Sequence, residues 1–303
     1  MPSSHLPVPT APCLVVDPDG ITEEGHTILL DTKGECFTCD IKPLANNTRF
    51  ALTWKGWILS SDPSDCHTFL YDPTSDEIEL PHFADHQQLP RRKYQCALSD
   101  NPTNNGCVVV ILHPDEPYFW YCRVGGDDEW IKYDYDVGSQ QWDTQGLVWE
   151  KIVITNLTSC KGKFYFPISR VKHGVIEFNP SPVTHVVAMH DMPRAYRAHA
   201  CYFELDREPY QFYAFDEGPQ IVTDITLYMI DLVNQRFSQV DDISDRALLC
   251  SGYNGGCCPA SRFGLDPNGV YWITPNDDSS MHIFNIVEST KRTSEKHCSQ
   301  KLN

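Results

Sequence analysis

Residues 69–80 read Phe-Leu-Tyr-Asp-Pro-Thr-Ser-Asp-Glu-Ile-Glu-Leu, which is a short aromatic and apolar strand, a polar turn and a second short strand. Asp, Asn, Gly and Pro bound such strands because these residues adopt the backbone angles of tight turns. The pattern returns at residues 176–180, 227–237 and 282–286, and in a looser form at 131–136. Helix-period patterns are almost absent, so the sequence predicts an all-β chain.

A glycine-marked turn that runs into an aromatic strand precedes this pattern at residues 55–59, 161–166 and 268–273. Glycine permits the positive φ that such hairpin turns need, and the aromatic side chains fill the layer that follows. The combined unit recurs about every 50 residues, the length of one four-stranded blade of a kelch-like β-propeller. Dividing the 303 residues by this period predicts about six blades in a single domain.

The predicted propeller covers residues 12–287, with an N-terminal extension at 1–11 and a flexible C-terminal tail at 288–303. We expect residues 12–16, Pro-Cys-Leu-Val-Val, to pair into the last blade, which carries Trp272, because an open strand edge invites aggregation. The apolar periodicity ends at the start of the predicted tail. The alternative is a β-sandwich followed by a second small β domain, but even repetition along the whole chain favours the propeller.

The composition is that of an acidic globular chain. Lys and Arg number 24 against 41 Asp and Glu, a formal charge of −17, and 41% of the residues are hydrophobic. Binding to nucleic acid or to anionic lipid requires clustered Lys and Arg, so the charge argues against both partners. The apolar runs are strand-sized, and no membrane helix is expected. The N-terminus lacks a signal-peptide pattern and the 13 cysteines are scattered, so we expect a cytoplasmic or nuclear location.

The clusters of possible metal ligands are better explained as structure. Cys36 and Cys39 form a Cys-x-x-Cys without a second pair at zinc spacing, and on a strand their side chains point to opposite faces. Residues 257–258 are adjacent cysteines in a predicted turn. His82 and His86 lie in a proline-bracketed loop that lacks a third ligand. We therefore predict no metal and no cofactor.

No catalytic set is apparent, because the sequence holds no Gly-x-Ser-x-Gly, Walker or Gly-x-Gly-x-x-Gly motif, and we predict a protein that is not an enzyme. Residues 127–129, Asp-Asp-Glu, could supply an acid for glycoside cleavage, which requires a pair of carboxylates on the propeller axis. A charged hairpin tip before Trp130 explains the run better. A glycan-acting hydrolase that uses axial carboxylates is the alternative function.

Six segments in order along the chain carry a likeness to a known family: residues 54–57, 69–73, 78–81, 160–165, 203–205 and 263–272. In these turns and aromatic strands the sequence resembles the plant KIB-type, F-box-associated β-propeller proteins. The resemblance implies a substrate-recognition propeller that binds a protein partner. Full-length relatives carry an N-terminal F-box that docks on the Skp adaptor of a ubiquitin ligase. Residues 6–9, Leu-Pro-Val-Pro, do not suit its helices, so we expect no direct docking on such an adaptor.

The expected partner surface consists of loops at one mouth of the ring, held in place by rigid blades. The candidate contact residues are Arg194, Tyr196, Arg197, His199 and Trp120. Arginine offers a bidentate fork, and tyrosine and tryptophan offer large rigid faces that dominate binding energy at many interfaces. The alternative for the arginines is a structural role in which their stems pack over apolar surface.

Overall fold

The computed structural model describes residues 14–16, 27–30, 32, 36–39, 49–52, 56–62, 64–72, 77–84, 95–141, 149–169, 171–190, 198–216, 222–251, 254–273 and 280–295. Strands dominate this part of the chain, and its one helix is α1, Ala260–Phe263. No helix in the described ranges has the length and apolar character needed to cross a bilayer. The all-β prediction is confirmed.

The N-terminal strands form a three-stranded antiparallel sheet of their own, made of β1 (Leu14–Val16), β2 (Thr27–Leu30) and β3 (Cys36–Cys39). In this sheet Leu14 lies opposite Leu30. The prediction that residues 12–16 close the last blade is therefore wrong for the strand that the structure describes. Pairing with the next strand in sequence closes a short loop, whereas pairing with the C-terminal blade would close almost the whole chain at a higher entropic cost.

Three four-stranded antiparallel meanders follow along the chain, and the strands of residues 198–295 form one nine-stranded sheet that holds the last two blades. The first blade contains β4 (Arg49–Leu52), β5 (Ile58–Ser61), β6 (Thr68–Tyr71) and β7 (Ile78–Leu80). The second contains β8 (Cys96–Leu98), β9 (Val108–Leu112), β10 (Tyr118–Arg123) and β11 (Ile131–Asp134). A two-stranded ribbon, β12 (Ser139–Gln141) and β13 (Trp149–Lys151), separates it from the third blade.

The remaining blades lie in the C-terminal half. The third contains β14 (Thr158–Cys160), β15 (Lys163–Ser169), β16 (Lys172–Phe178) and β17 (Pro182–Ala188). The fourth contains β18 (Ala198–Leu205), β19 (Glu208–Asp216), β20 (Val222–Asp231) and β21 (Arg236–Val240). The fifth contains β22 (Arg246–Ser251), β23 (Asn254–Pro259), β24 (Gly269–Ile273), β25 (Ser280–Asn285) and β26 (Thr290–Glu295).

The inner strand of each blade lies against that of the next, with contacts between β4 and β8, β8 and β14, β14 and β18, and β18 and β23. β18 and β23 also pair in parallel, so the last two blades share one sheet. Blades that meet at their inner strands in this way form a β-propeller. The described residues give five blades, which corrects the prediction of about six. Dividing the whole length by the repeat counted the N-terminal residues as a blade, and the structure places the three-stranded sheet there.

The middle strands of the second blade show why the blades stay together. Side chains alternate across a strand, so Ile111 and Trp120 pack toward the first blade while Val110 and Phe119 pack toward the third. All four are buried. A middle strand of a propeller blade is covered on both faces, which explains why residues 107–112 are apolar without alternation.

Polar contacts also join neighbouring blades, and the side-chain donors lie at or near strand ends. The ties run from Trp130 Nε1 to the Pro81 carbonyl at 2.7 Å, from Arg123 to the Pro180 carbonyl, from the Cys160 thiol to the Arg207 carbonyl at 3.0 Å, and from Arg246 to Asp206 at 2.7 Å. Hydrogen bonds of this kind fix the register of one apolar face on the next, so the described blades behave as one packed unit.

The last blade departs from two predictions. The residues Cys257 and Cys258 lie in β23 instead of a turn. β23 passes close to β18, since a Cβ on Gly255 would lie 2.9 Å from the Cys201 Sγ atom. The outer strand β26 occupies residues 290–295, where the sequence predicts a tail, because an outer strand with polar side chains still forms backbone hydrogen bonds to its neighbour.

Candidate functional site

Two of the five predicted contact residues lie in the part of the chain that the structure describes, and three lie outside it. Arg194, Tyr196 and Arg197 lie outside the described residues. His199 lies on β18, with its backbone opposite Ala214. Trp120 is 1% exposed on β10 and belongs to the core between the first and second blades.

Trp120 is unsuited to contact a partner because other rings surround it. Its indole meets the ring of Phe83 at 5.2 Å and that of Tyr118 at 4.9 Å, both in edge-to-face geometry. Edge-to-face pairs stabilise an aromatic cluster beyond the burial of area alone. The prediction of Trp120 as a contact residue is therefore not supported, and its ring fills the core.

The β12–β13 ribbon carries an exposed aromatic side chain, the kind of residue that the sequence predicts at a partner-binding surface. All six residues of its two strands are exposed, and Trp149 is 63% exposed. Trp149 pairs with Gln141 across the ribbon. A tryptophan usually buries most of its surface, so one held on an exposed ribbon marks a surface suited to contact another molecule.

The base of the ribbon is tied to the body of the propeller. The N–H of Ile154 donates to the buried Tyr135 hydroxyl at 2.8 Å, and burial raises the pKa of Tyr135 to about 12. The N–H of Ile152 donates to the Gly138 carbonyl at 2.9 Å. The ribbon therefore leaves the body from a fixed, hydrogen-bonded base while its strands stay in solvent.

The ribbon occupies the connection from the outer strand of the second blade to the inner strand of the third. The connection that follows Met189 and His190 is its counterpart one blade later, running from β17 to β18. In a meander of four strands, these connections leave each blade at the same end. The predicted residues 194–197 belong to that second connection, although their own placement lies outside the described residues.

A cleft of about 490 Å³ lies between the fourth and fifth blades, and its charged groups Asp206, Asp242, Asp245 and Arg246 are bonded within the protein. Arg246 pairs with Asp206 at 2.7 Å. The carboxylate of Asp245 accepts hydrogen bonds from the Ser261 hydroxyl at 2.5 Å and the Ser261 N–H at 2.8 Å, which lower its pKa. The cleft is thus a joint between two blades.

The described residues offer no assembled reaction centre of the kinds considered from the sequence. They contain no group of three or more His, Cys, Asp or Glu side chains placed to hold a metal ion. Burial raises the pKa of the thiols of Cys160 and Cys257 to about 12, so these thiols stay protonated and weakly nucleophilic at neutral pH.

On the inner strands that the structure describes, the carboxylates do not form the pair that glycoside cleavage requires. Among the described inner strands β4, β8, β14, β18 and β23, the one acidic residue is Glu204. Asp127 lies in the connection between β10 and β11, at the outer side of the second blade, and accepts the N–H of Arg123 at 2.8 Å. That placement confirms the hairpin predicted for residues 127–129.

Comparison with known proteins identifies the family. The family model described as KIB1-4 beta-propeller matches residues 30–285 of the sequence. The chain belongs to the KIB1-4 β-propeller family. A search of curated proteins found no significant match.

Solved structures that resemble this KIB1-4 family chain are distant in sequence. Virginiamycin B lyase from Staphylococcus aureus is 10% identical with a TM-score of 0.36, covering 95% of this chain and 82% of that chain. The N-terminal domain of Nup159 is 9% identical with a TM-score of 0.37, covering 90% and 85%. YCF48 bound to D1 peptide is 11% identical with a TM-score of 0.37, covering 97% and 88%. These likenesses carry no argument about function.

Proposed function

We propose that this KIB1-4 family propeller is a non-catalytic interaction domain that binds a protein partner at the end of the ring carrying the β12–β13 ribbon. The exposure of Trp149 carries the proposal. Tryptophan is the residue type most enriched among side chains that dominate binding energy, because it buries a large rigid surface with few rotatable bonds. The cellular location we propose is cytoplasm, nucleus or both.

The surroundings of Trp149 suit a contact of this kind. Glu150, Lys151 and Gln140 lie on the same ribbon and are exposed, so a bound partner would meet one apolar anchor within a polar rim. Lys151 pairs with Asp136 at 3.6 Å at the foot of the ribbon. Interfaces commonly place a buried aromatic anchor inside such a rim, which excludes water from the contact.

The charge of the chain indicates the kind of partner. With a formal charge of −17, the propeller attracts surfaces rich in Lys and Arg and repels acidic ones at long range. We therefore propose a neutral or basic protein surface as the partner. The steering effect should weaken as salt is raised, because a Debye length of about 8 Å at physiological ionic strength screens distant charges.

The test is a quantitative affinity capture from plant extract with three forms of the tagged chain: wild type, Trp149→Ala and Val233→Ala. Val233 is 91% exposed in the turn between β20 and β21, which belongs to the fourth blade and not to the ribbon. The proposal predicts specific partners that the wild type and Val233→Ala capture and Trp149→Ala loses. Equal capture by all three forms would show that the ribbon is not the binding surface. An Arg194→Ala, Arg197→Ala double variant then tests the predicted basic residues.

A further inference from the structure

We propose that the outer edge of the third blade, strand β17, is a second binding surface that takes an extended segment of a partner protein as an added strand. The surface differs from the β12–β13 ribbon, and the inference goes beyond the proposed function by specifying how the chain is recognised there. Strand addition uses backbone hydrogen bonds for affinity and alternate side chains for selectivity.

The outer strands of the other four blades carry charged residues that discourage strand pairing. Each has at least one within its bounds, namely Glu79 in β7, Lys132 and Asp134 in β11, Arg236 in β21, and Lys291, Arg292 and Glu295 in β26. β17 reads Pro-Val-Thr-His-Val-Val-Ala, holds no Asp, Glu, Lys or Arg, and at seven residues is the longest of the five outer strands. It therefore lacks the protection that its counterparts have.

The register shows which backbone groups of β17 point outward. The N–H of Met189 donates to the Val171 carbonyl at 2.8 Å, next to the registered pair of Lys172 and Ala188. In an antiparallel pair, hydrogen-bonded residues alternate with residues whose N–H and C=O groups face away. Every second residue of β17 counted from Met189 therefore bonds to β16, and the outward backbone groups belong to Thr184, Val186 and Ala188.

Within the described ranges no strand pairs with the outer edge of β17. Two residues beyond β17 the N–H of His190 donates to the Gln235 carbonyl of the fourth blade at 2.6 Å, so the open edge ends at Ala188. Val183 and Val186 are each 46% exposed and lie on opposite faces of the blade, since they are separated by an odd number of positions. His185 and Ala188 are exposed as well. An added strand would cover apolar surface on both faces, so its own side chains should be β-branched or otherwise apolar in both directions.

The occupant we propose is an extended, uncharged run of about six residues flanked by Lys or Arg. The formal charge of −17 favours basic flanks over acidic ones. A second copy of the chain fits less well, because two bodies of this charge repel each other. Pairing through one seven-residue strand would also fall short of the roughly 1,600 Å² that a standard stable interface buries.

The experiment uses the synthetic peptide Lys-Lys-Thr-Val-Thr-Val-Thr-Val-Lys-Lys with a fluorescent label, and a control peptide in which the six central amides are N-methylated. Binding to the full chain is followed by fluorescence anisotropy and by hydrogen exchange of residues 182–188. We expect saturable binding of the first peptide, protection of the outward N–H groups of β17, and at least a tenfold loss with the methylated peptide. The Val186→Pro variant, which removes one outward donor and no bond to β16, should show the same loss.

The Trp149→Ala variant separates this surface from the ribbon, since it should bind the peptide as the wild type does. Equal binding of the two peptides, or protection confined to another strand, would overturn the proposal. A concentration-dependent dimer that Val186→Pro abolishes would also overturn it, in favour of a second copy as the occupant. None of these three results depends on whether the ribbon binds a partner.

Discussion

The hydroxyl oxygen of Tyr202 lies 3.1 Å from the Nδ1 atom of His173, and both side chains are buried where the third and fourth blades meet. The His173 ring also packs edge-to-face on Phe237 at 5.4 Å. Burial lowers the pKa of His173 to about 4, so the imidazole is neutral at neutral pH and its nitrogen can accept the phenol hydrogen. A polar pair inside an apolar junction makes that junction sensitive to acid.

The His173 pair predicts that folding stability falls as the pH drops from about 6.5 to about 4. In this window the unfolded chain binds a proton on the histidine and the folded chain does not, so acid favours unfolding. The loss is complete below about pH 4 and amounts to about 3 kcal/mol. Urea unfolding of the wild type and His173→Gln at several pH values measures it.

Carboxylates titrate in the same pH window, and the comparison with His173→Gln removes their contribution. Glutamine keeps a hydrogen-bonding group beside the Tyr202 hydroxyl and cannot ionise. The variant should therefore show a shallower fall of unfolding free energy between pH 6.5 and 4. Identical slopes in the two proteins would contradict the assignment.

A second prediction concerns Gly174, which lies opposite Phe166 in the third blade. A Cβ at Gly174 would overlap the ring of Phe166, which is fully buried. Gly174→Ala should lower the free energy of unfolding by about 1–3 kcal/mol, as overpacking does in well-packed cores. Thermal and urea unfolding measure the change.

Gly126→Ala is the matched control for that substitution. Its added Cβ would lie 3.5 Å from the Arg123 Cβ atom, an ordinary van der Waals contact. Its effect should stay within about 0.5 kcal/mol. Equal destabilisation by the two variants would show that the ring of Phe166 does not depend on the glycine.

A third prediction tests the base of the ribbon. Tyr135→Phe leaves the Ile154 N–H without its acceptor in a buried setting, which should cost about 1–3 kcal/mol of unfolding free energy. Tyr133→Phe, on the neighbouring strand β11, is the control, and its effect should be small because its ring is only half-buried. If Tyr135→Phe is as stable as its control, the hydroxyl is not what fixes the ribbon.

Local turn chemistry made much of the fold predictable. Residues 69–71 end β6 and residues 78–80 form β7 as predicted, and the glycine at residue 162 adopts a φ of 77° in the turn between β14 and β15. These features depend on neighbours in sequence. The number of blades and the partner of β1 depend on pairing between distant strands, which local patterns do not specify.

The candidate site was harder to predict because exposure depends on packing. Seven tryptophans look alike in a composition count, yet Trp120 lies between Phe119 and Tyr121 whereas Trp149 precedes Glu150 and Lys151. Apolar neighbours in sequence indicate that the ring of Trp120 is buried, and charged neighbours indicate that the ring of Trp149 is exposed. The bare edge of β17 became visible only when the five outer strands could be compared.

The central claim, that the ribbon end of this propeller binds a protein partner, is tested most directly by the dissociation constant of the captured partner for Trp149→Ala against wild type. We expect a loss of at least 30-fold, the effect of removing a side chain worth about 2 kcal/mol, with unchanged unfolding free energy. Val233→Ala should bind as the wild type does. An unchanged dissociation constant for Trp149→Ala would contradict the account.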